Sequence, residues 1–279
     1  MLQCFAAFVS ERQNRFSAAM KLCDKFDLLC GEEGYNPVLR ADEIKEDKIN
    51  ALLTVEEGGA IEGDLTKLEA LYARGVRMMS LTWNYPNELG FPCFPDYEGL
   101  HVGRLPLTVR EEKRGLTPFG FSAVERMGEL GIIVDVSHGS DALVKDVAAI
   151  TKAPFVASHS GANEVFSCAR NLTDEGIRLI ADSGGVVGLD FCADFLSFDL
   201  SKEGQKNALL AHAKHIIKVG GEDVLSIGSD FDGIPENEFM KSPADMPALL
   251  ELFQSAFGAR AVEKFASKNF LRVFESVCK

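Results

Sequence analysis

Seven apolar, β-rich runs recur along this chain, at residues 2–9, 51–56, 76–83, 131–137, 154–159, 185–191 and 223–230. Between them lie segments with helical spacing, among them DLTKLEALYARG, TPFGFSAVERMGELG, SDALVKDVAAI and TDEGIRLIADSGG, the last with Thr173 as its N-cap. Strands that are apolar along their whole length are covered on both faces, as parallel strands are. Strand and helix alternating at this spacing make βα units, so the pattern predicts an α/β protein with a parallel sheet. Closed on itself, that pattern is a (β/α)8 TIM-like barrel, whose active site lies at the C-terminal ends of its strands. The count falls one strand short. After the last run, DMPALLELFQSAFG, ARAVEKFASK and NFLRVFESVCK predict a C-terminal helical cap. No linker, low-complexity stretch or internal repeat interrupts the series, and residues 1–279 are expected to form a single domain.

Charge narrows the partners. Lys+Arg 29 against Asp+Glu 42 gives a formal net charge of −13, which repels nucleic acid phosphates and anionic lipid. The seven cysteines contain no CxxC pair and lie mostly in apolar runs, as reduced core thiols do. No basic segment precedes the short apolar run at the N-terminus, and no apolar stretch approaches the roughly 20 residues of a membrane span. A cytoplasmic protein without membrane or nucleic-acid partners is expected.

The ends of the runs carry the chemistry. Glu56 and Glu57 follow ALLTV, His138 follows IIVDVS, His159 follows PFVAS, and Asp230 follows VLSIGS. Two histidines and two acidic positions, each ending a different strand, are what a barrel hydrolase needs to hold zinc and polarise water. His101, in a Gly- and Pro-rich loop, and His212 and His215, three apart on one helix face, read as structural. SDFDG at 229–233 fails as a calcium loop, because Ile234 and Lys241 stand where oxygen ligands are required. No GxGxxG or GxxxxGK[ST] occurs.

Several blocks, in this order, resemble the membrane dipeptidase (renal dipeptidase) family of zinc peptidases: VEEGGAIEGDLTKLEALYARGVR (55–77), SLTWNYPNELG (80–90), GLTPFG (115–120), GIIVDVSH (131–138), FVASHS (155–160), ARNLTD (169–174) and IGSDFDG (227–233). The resemblance implies dipeptide hydrolysis. By position, Glu56 resembles the carboxylate that bridges two zinc ions, with His138 and His159 completing the second ion's shell. Glu57 stands where the family usually has glycine and is the fallback for Glu56. Arg170 matches the substrate-binding arginine, whose fork suits a carboxylate, the alternative being a surface ion pair. Asp230 matches the aspartate that relays a proton to the leaving amine, with Asp232 the lesser candidate.

Two departures from the family stand out. The family opens with a strand carrying His-x-Asp, the first zinc's own ligands, whereas the first strand here resembles the family's second. The resemblance thus implies an N-terminally short chain with one visible half-site of the two expected for zinc. Trp83 occupies the place of a histidine that holds the substrate carbonyl in animal members, and is assigned to the pocket lining. The family also implies short peptide substrates, tolerance for a D-residue at the C-terminal position, and a homodimer. Two competing expectations remain: a truncated or degenerate member with one metal and little activity, and another amidohydrolase-type barrel acting on a lactone, amide or phosphoester.

Overall fold

In the computed structural model, which describes residues 2–10 and 12–279, each of the seven apolar runs overlaps a β-strand, with β-structure starting before residue 51 in the second run and ending past residue 159 in the fifth. In chain order the strands are β1 (Leu2–Phe8), β2 (Tyr35–Pro37), β3 (Ile49–Glu56), β4 (Met78–Ser80), β5 (Ile133–Asp135), β6 (Ala157–Ser160), β7 (Val187–Asp190) and β8 (Leu225–Gly228). The helices are α1 (Arg15–Cys30), α2 (Leu65–Ala73), α3 (Tyr97–His101), α4 (Pro118–Leu130), α5 (Asp141–Ile150), α6 (Asp174–Asp182), α7 (Ala193–Leu196), α8 (Lys202–Gly220), α9 (Met246–Phe257), α10 (Ala259–Glu263) and α11 (Asn269–Val277). Every strand pairing is parallel, as the apolar runs require. The expected C-terminal helices are α9 to α11, with a π-helical turn at Lys264–Lys268 between the last two.

Neither β2 nor α1 follows from the pattern of runs. Strand β2 is three residues long and includes a buried asparagine, too short for a period-two signal. Helix α1 has apolar residues at helical spacing, but its N-cap, Asn14, sits in left-handed backbone and makes no side-chain cap bond. The usual start signal is therefore missing. Elsewhere the caps are explicit in the sequence: the side chains of Thr117, Ser140, Thr173 and Ser201 accept from backbone N–H groups in the first turns of α4, α5, α6 and α8.

Two compact units emerge. The first comprises the chain up to Cys93 with Glu111–Phe155 and Val273–Lys279, and the second Phe94–Arg110 with Val156–Arg272. The first holds the sheet β1-β3-β4-β5, with β2 also on β3. Its core includes Leu52, Leu53, Val55, Met79 and Ile133, all buried. Burial of each such aliphatic side chain contributes about 1.5–3 kcal/mol. The second unit holds β6-β7-β8. There the strands leave no room for side chains at two places: a Cβ on Gly188 would lie 1.9 Å, and one on Gly228 2.1 Å, from the Ser158 carbonyl oxygen. The β6–β7 register shifts between Ala157 and Ser160, an irregularity that falls on Ser158 and His159.

His212 ties this second unit together from α8. It is fully buried, its Nδ1 accepts from the Ala162 N–H at 2.9 Å, and its Nε2 faces the Leu196 carbonyl at 3.1 Å. That pattern fixes the Nε2–H tautomer of a neutral ring. Burial pushes its pKa down from 6.5 to about 4, against a smaller opposing pull from the Leu196 carbonyl. The structural role expected for His212 is thus what the fold gives it. No helix of the described residues is long and apolar enough to cross a membrane.

The pH consequence has a definite sign. Between about 4 and 6.5 the unfolded chain holds a proton on residue 212 that the folded chain refuses, so this contribution is complete above pH 6.5 and is lost as pH falls toward 4. Gln at 212 keeps one acceptor and one donor but does not titrate. Thermal unfolding from pH 7 to 4 is expected to lose more stability in the parent than in His212→Gln, and parallel curves would contradict this.

Candidate metal centre

Glu56 is the last residue of β3, and His138 lies three residues past β5. Their side chains meet, with His138 Nε2 3.3 Å from Glu56 Oε1. The other ring nitrogen, Nδ1, is 2.8 Å from Asn84 Oδ1. An amide oxygen only accepts, so Nδ1 carries the proton and the Nε2 lone pair faces the carboxylate. A lone pair and a carboxylate oxygen aimed at each other repel unless a proton or a cation stands between them. Two ligands about 2 Å from one tetrahedral ion sit about 3.3 Å apart, which is the observed separation.

His159 belongs to β6, and its Nδ1 lies 2.8 Å from Ser158 Oγ. Glu56, His138 and His159 each offer one ligand atom, and these atoms lie within 4.8 Å of one another. Two imidazoles and a carboxylate are a set suited to zinc, so the residues present fit a metal. His138 has its partner Asn84 on the ring nitrogen away from Glu56, as metal-binding imidazoles usually do.

Glu57, the fallback, is otherwise engaged. Its Oε1 accepts from the Gly59 N–H at 2.7 Å and from Asn87 Nδ2 at 2.6 Å, so it caps the turn that follows β3. Burial pushes its pKa up, in spite of these hydrogen bonds and the nearby Arg15 charge. Its φ of 91° lies in glycine territory, which accounts for the glycine the resemblance places there. His138 (φ 65°) and Asp230 (φ 53°) are also left-handed. Non-glycine residues rarely adopt this conformation, and such strain concentrates at functional sites.

Asp230 is half-buried two residues beyond β8, whereas Asp232 is exposed. Arg170 is only 4% exposed, which excludes a surface ion pair. It lies in the segment between β6 and α6, where its Nη2 donates to the His159 carbonyl at 3.2 Å and its guanidinium stands 5.6 Å from the Phe195 ring centroid. The segment is pinned on both sides of Arg170: Arg110 donates to the carbonyls of Cys168 and Asn171, and Ser160 Oγ to that of Arg170. Trp83, half-buried past β4, has its ring centroid 6.2 Å from that of His138.

Four further residues are not marked by the run ends. Asn84 and Ser158 hold the two imidazoles, and each directly precedes or follows a residue already singled out. Asp135 and Asp190 are buried acids at the ends of β5 and β7, and each accepts from the backbone N–H two residues on, at Ser137 and Cys192. Asp135 also accepts from Ser80 Oγ at 2.5 Å. A polar residue inside an apolar run is the signal that marks them.

Over residues 1–279 the sequence matches the profile of the membrane dipeptidase family, peptidase family M19. The chain belongs to that family. It is 32% identical over 246 residues to a Klebsiella pneumoniae protein known as an uncharacterized protein in the pqqA 5' region, covering 85% of each. With an uncharacterized dipeptidase of Schizosaccharomyces pombe it shares 35% identity over 189 residues, 68% of this chain and 43% of that one. Its structure resembles that of the M19 metallopeptidase called dipeptidase AC, with a TM-score of 0.86, 25% identity, and 99% of this chain and 85% of that one covered. A Rhodobacter sphaeroides metallopeptidase, crystallised with a phosphinate mimic of the dipeptide L-Ala-D-Ala, gives 0.85 at 24% identity over 98% and 86% of the two chains. The fold of this M19 protein is therefore the α/β, TIM-barrel-like one of those dipeptidases, and the protein is a metallodipeptidase.

If Asn84 fixes the His138 tautomer, its loss frees the ring to turn. Asn84→Ala is expected to weaken metal binding by about 10- to 100-fold, read by competition with a chelator of known affinity. Unchanged affinity would show that the Asn84 contact has no part in ligation.

Proposed function

We propose that residues 1–279 act as one catalytic domain of a zinc dipeptidase, in which Glu56, His138 and His159 hold metal, Asp230 exchanges a proton, and Arg170 and Trp83 bind substrate. The observation that carries this reading is the convergence of one carboxylate and two imidazoles, each on or just past a different strand. Bound there, zinc supplies Lewis acidity and brings the pKa of a bound water toward neutrality.

The remaining work falls to the chain. Asn84, by accepting from Nδ1, keeps the His138 Nε2 lone pair directed at the group. Half-buried on a left-handed turn, the Asp230 carboxylate is suited to take up a proton and return it to the leaving amine. The planar fork of Arg170 matches the carboxylate at the end of a dipeptide, and its burial spares that ion pair from competition with water. Trp83 offers an apolar face beside His138. The L-Ala-D-Ala mimic bound by the Rhodobacter sphaeroides enzyme supports a D-residue as an acceptable C-terminal partner here too. Cysteines that lie mostly in apolar runs, several with burial pushing the thiol pKa up, support a place in the reducing cytoplasm.

Purified protein dialysed with zinc is expected to hydrolyse L-Ala-L-Ala and L-Ala-D-Ala, and chelation to abolish the activity. Glu56→Gln should lower both bound zinc, by plasma mass spectrometry, and turnover. Asp230→Asn should keep its zinc while kcat falls about 10²- to 10⁴-fold. Full turnover by Glu56→Gln would sink the ligand assignment.

A further inference from the structure

The mouth of the first unit carries three aromatic rings that the metal chemistry does not use. Phe8 ends β1 and is the register partner of Glu56 on β3. Its chain neighbours Ala7 and Val9 are buried, at 4% and 2% exposed, while Phe8 is 38% exposed. Successive side chains on a strand point to opposite faces, and in-register residues of parallel neighbours share a face. Phe8 therefore stands on the Glu56 side of the sheet. Its ring meets Trp83 edge to face, with centroids 5.2 Å apart, and Trp83 in turn packs on Tyr85 at 5.8 Å and on His138 at 6.2 Å. Trp83 and Tyr85 are half-buried.

Aromatic side chains gain most of their free energy from full burial, so a half-open cluster leaves apolar area in contact with water. Here the open area adjoins the Glu56–His138 pair. Charge at the rim selects further: the Arg12 guanidinium lies 4.2 Å above the Tyr85 ring and occupies the place that a substrate cation would take.

We infer that Phe8, Trp83 and Tyr85 form a specificity wall that receives a large apolar side chain of the dipeptide, in preference to a small or a basic one. The inference rests on the dipeptidase reading above and deepens it by naming the substrate class. Phe8 and Tyr85 thereby become specificity residues, touching the substrate's side chain rather than its scissile bond.

The chain supplies its own reporter, because Trp83 is its single tryptophan. In the zinc-loaded Asp230→Asn variant, L-Phe-L-Ala or L-Ala-L-Phe is expected to perturb Trp83 emission at concentrations about tenfold below those needed for L-Ala-L-Ala, with L-Lys-L-Ala no better than the latter. In the active enzyme, Phe8→Ala should lower kcat/KM for the preferred phenylalanine dipeptide, relative to L-Ala-L-Ala, by about tenfold, and Phe8→Leu should restore part of the ratio. Equal emission responses to all four peptides, or a ratio indifferent to Phe8→Ala, would overturn the wall. Absence of hydrolysis of every dipeptide by the zinc-loaded parent would instead overturn the dipeptidase reading. The emission titration then decides on the wall alone, for it if the phenylalanine peptides act at lower concentration and against it if they do not.

Discussion

The approach of the His138 imidazole to the Glu56 carboxylate is the contact around which the first unit is arranged. It requires two strands with β4 between them to end at matching heights, a constraint met by the parallel registers β3–β4 and β4–β5. It also requires one ring nitrogen to be committed elsewhere, and Asn84 accepts from it. Beside it, Glu57 turns away into its own hydrogen bonds, so that two adjacent glutamates have different tasks. The left-handed backbone at Glu57 and His138 is the conformational cost of turning sharply while presenting a side chain at a strand end.

In the second unit the same problem is solved by a different device. His159 lies on an irregularity of β6, and Arg170 is held by backbone pins from Arg110 and Ser160. Rigidity there comes from the carbonyls of His159, Cys168, Arg170 and Asn171, each taken up by a donor, and from a neutral histidine at 212. A guanidinium mounted in this way has little side-chain freedom left to lose.

Much of the architecture was legible in the order of residues because two independent signals agree. Uniformly apolar runs marked the strands, and Thr or Ser followed by helical spacing marked α4, α5 and α6. The candidate ligands were legible because Glu56, His138 and His159 are ionisable residues at the ends of apolar runs. Asn84 and Ser158 were hidden for a physical reason: their roles depend on which neighbour a folded loop brings near, and an amide or hydroxyl has no residue-type signature for that. Helix α1 was hidden because its cap makes no side-chain bond, and β2 because three residues hold less than two periods of any pattern.

The glycines at 188 and 228 lie against the carbonyl of Ser158, whose hydroxyl meets the His159 ring. Replacing glycine by alanine is a common way to stiffen a protein and often raises its stability. At these two positions the route is closed, since an added methyl group can be admitted only if the backbone beside His159 retreats. Drift in the strand ladder and drift in the placement of the His159 ring are therefore coupled: a lineage that changes either glycine must re-tune His159 in the same step, and a designer seeking a sturdier enzyme must look beyond these two positions.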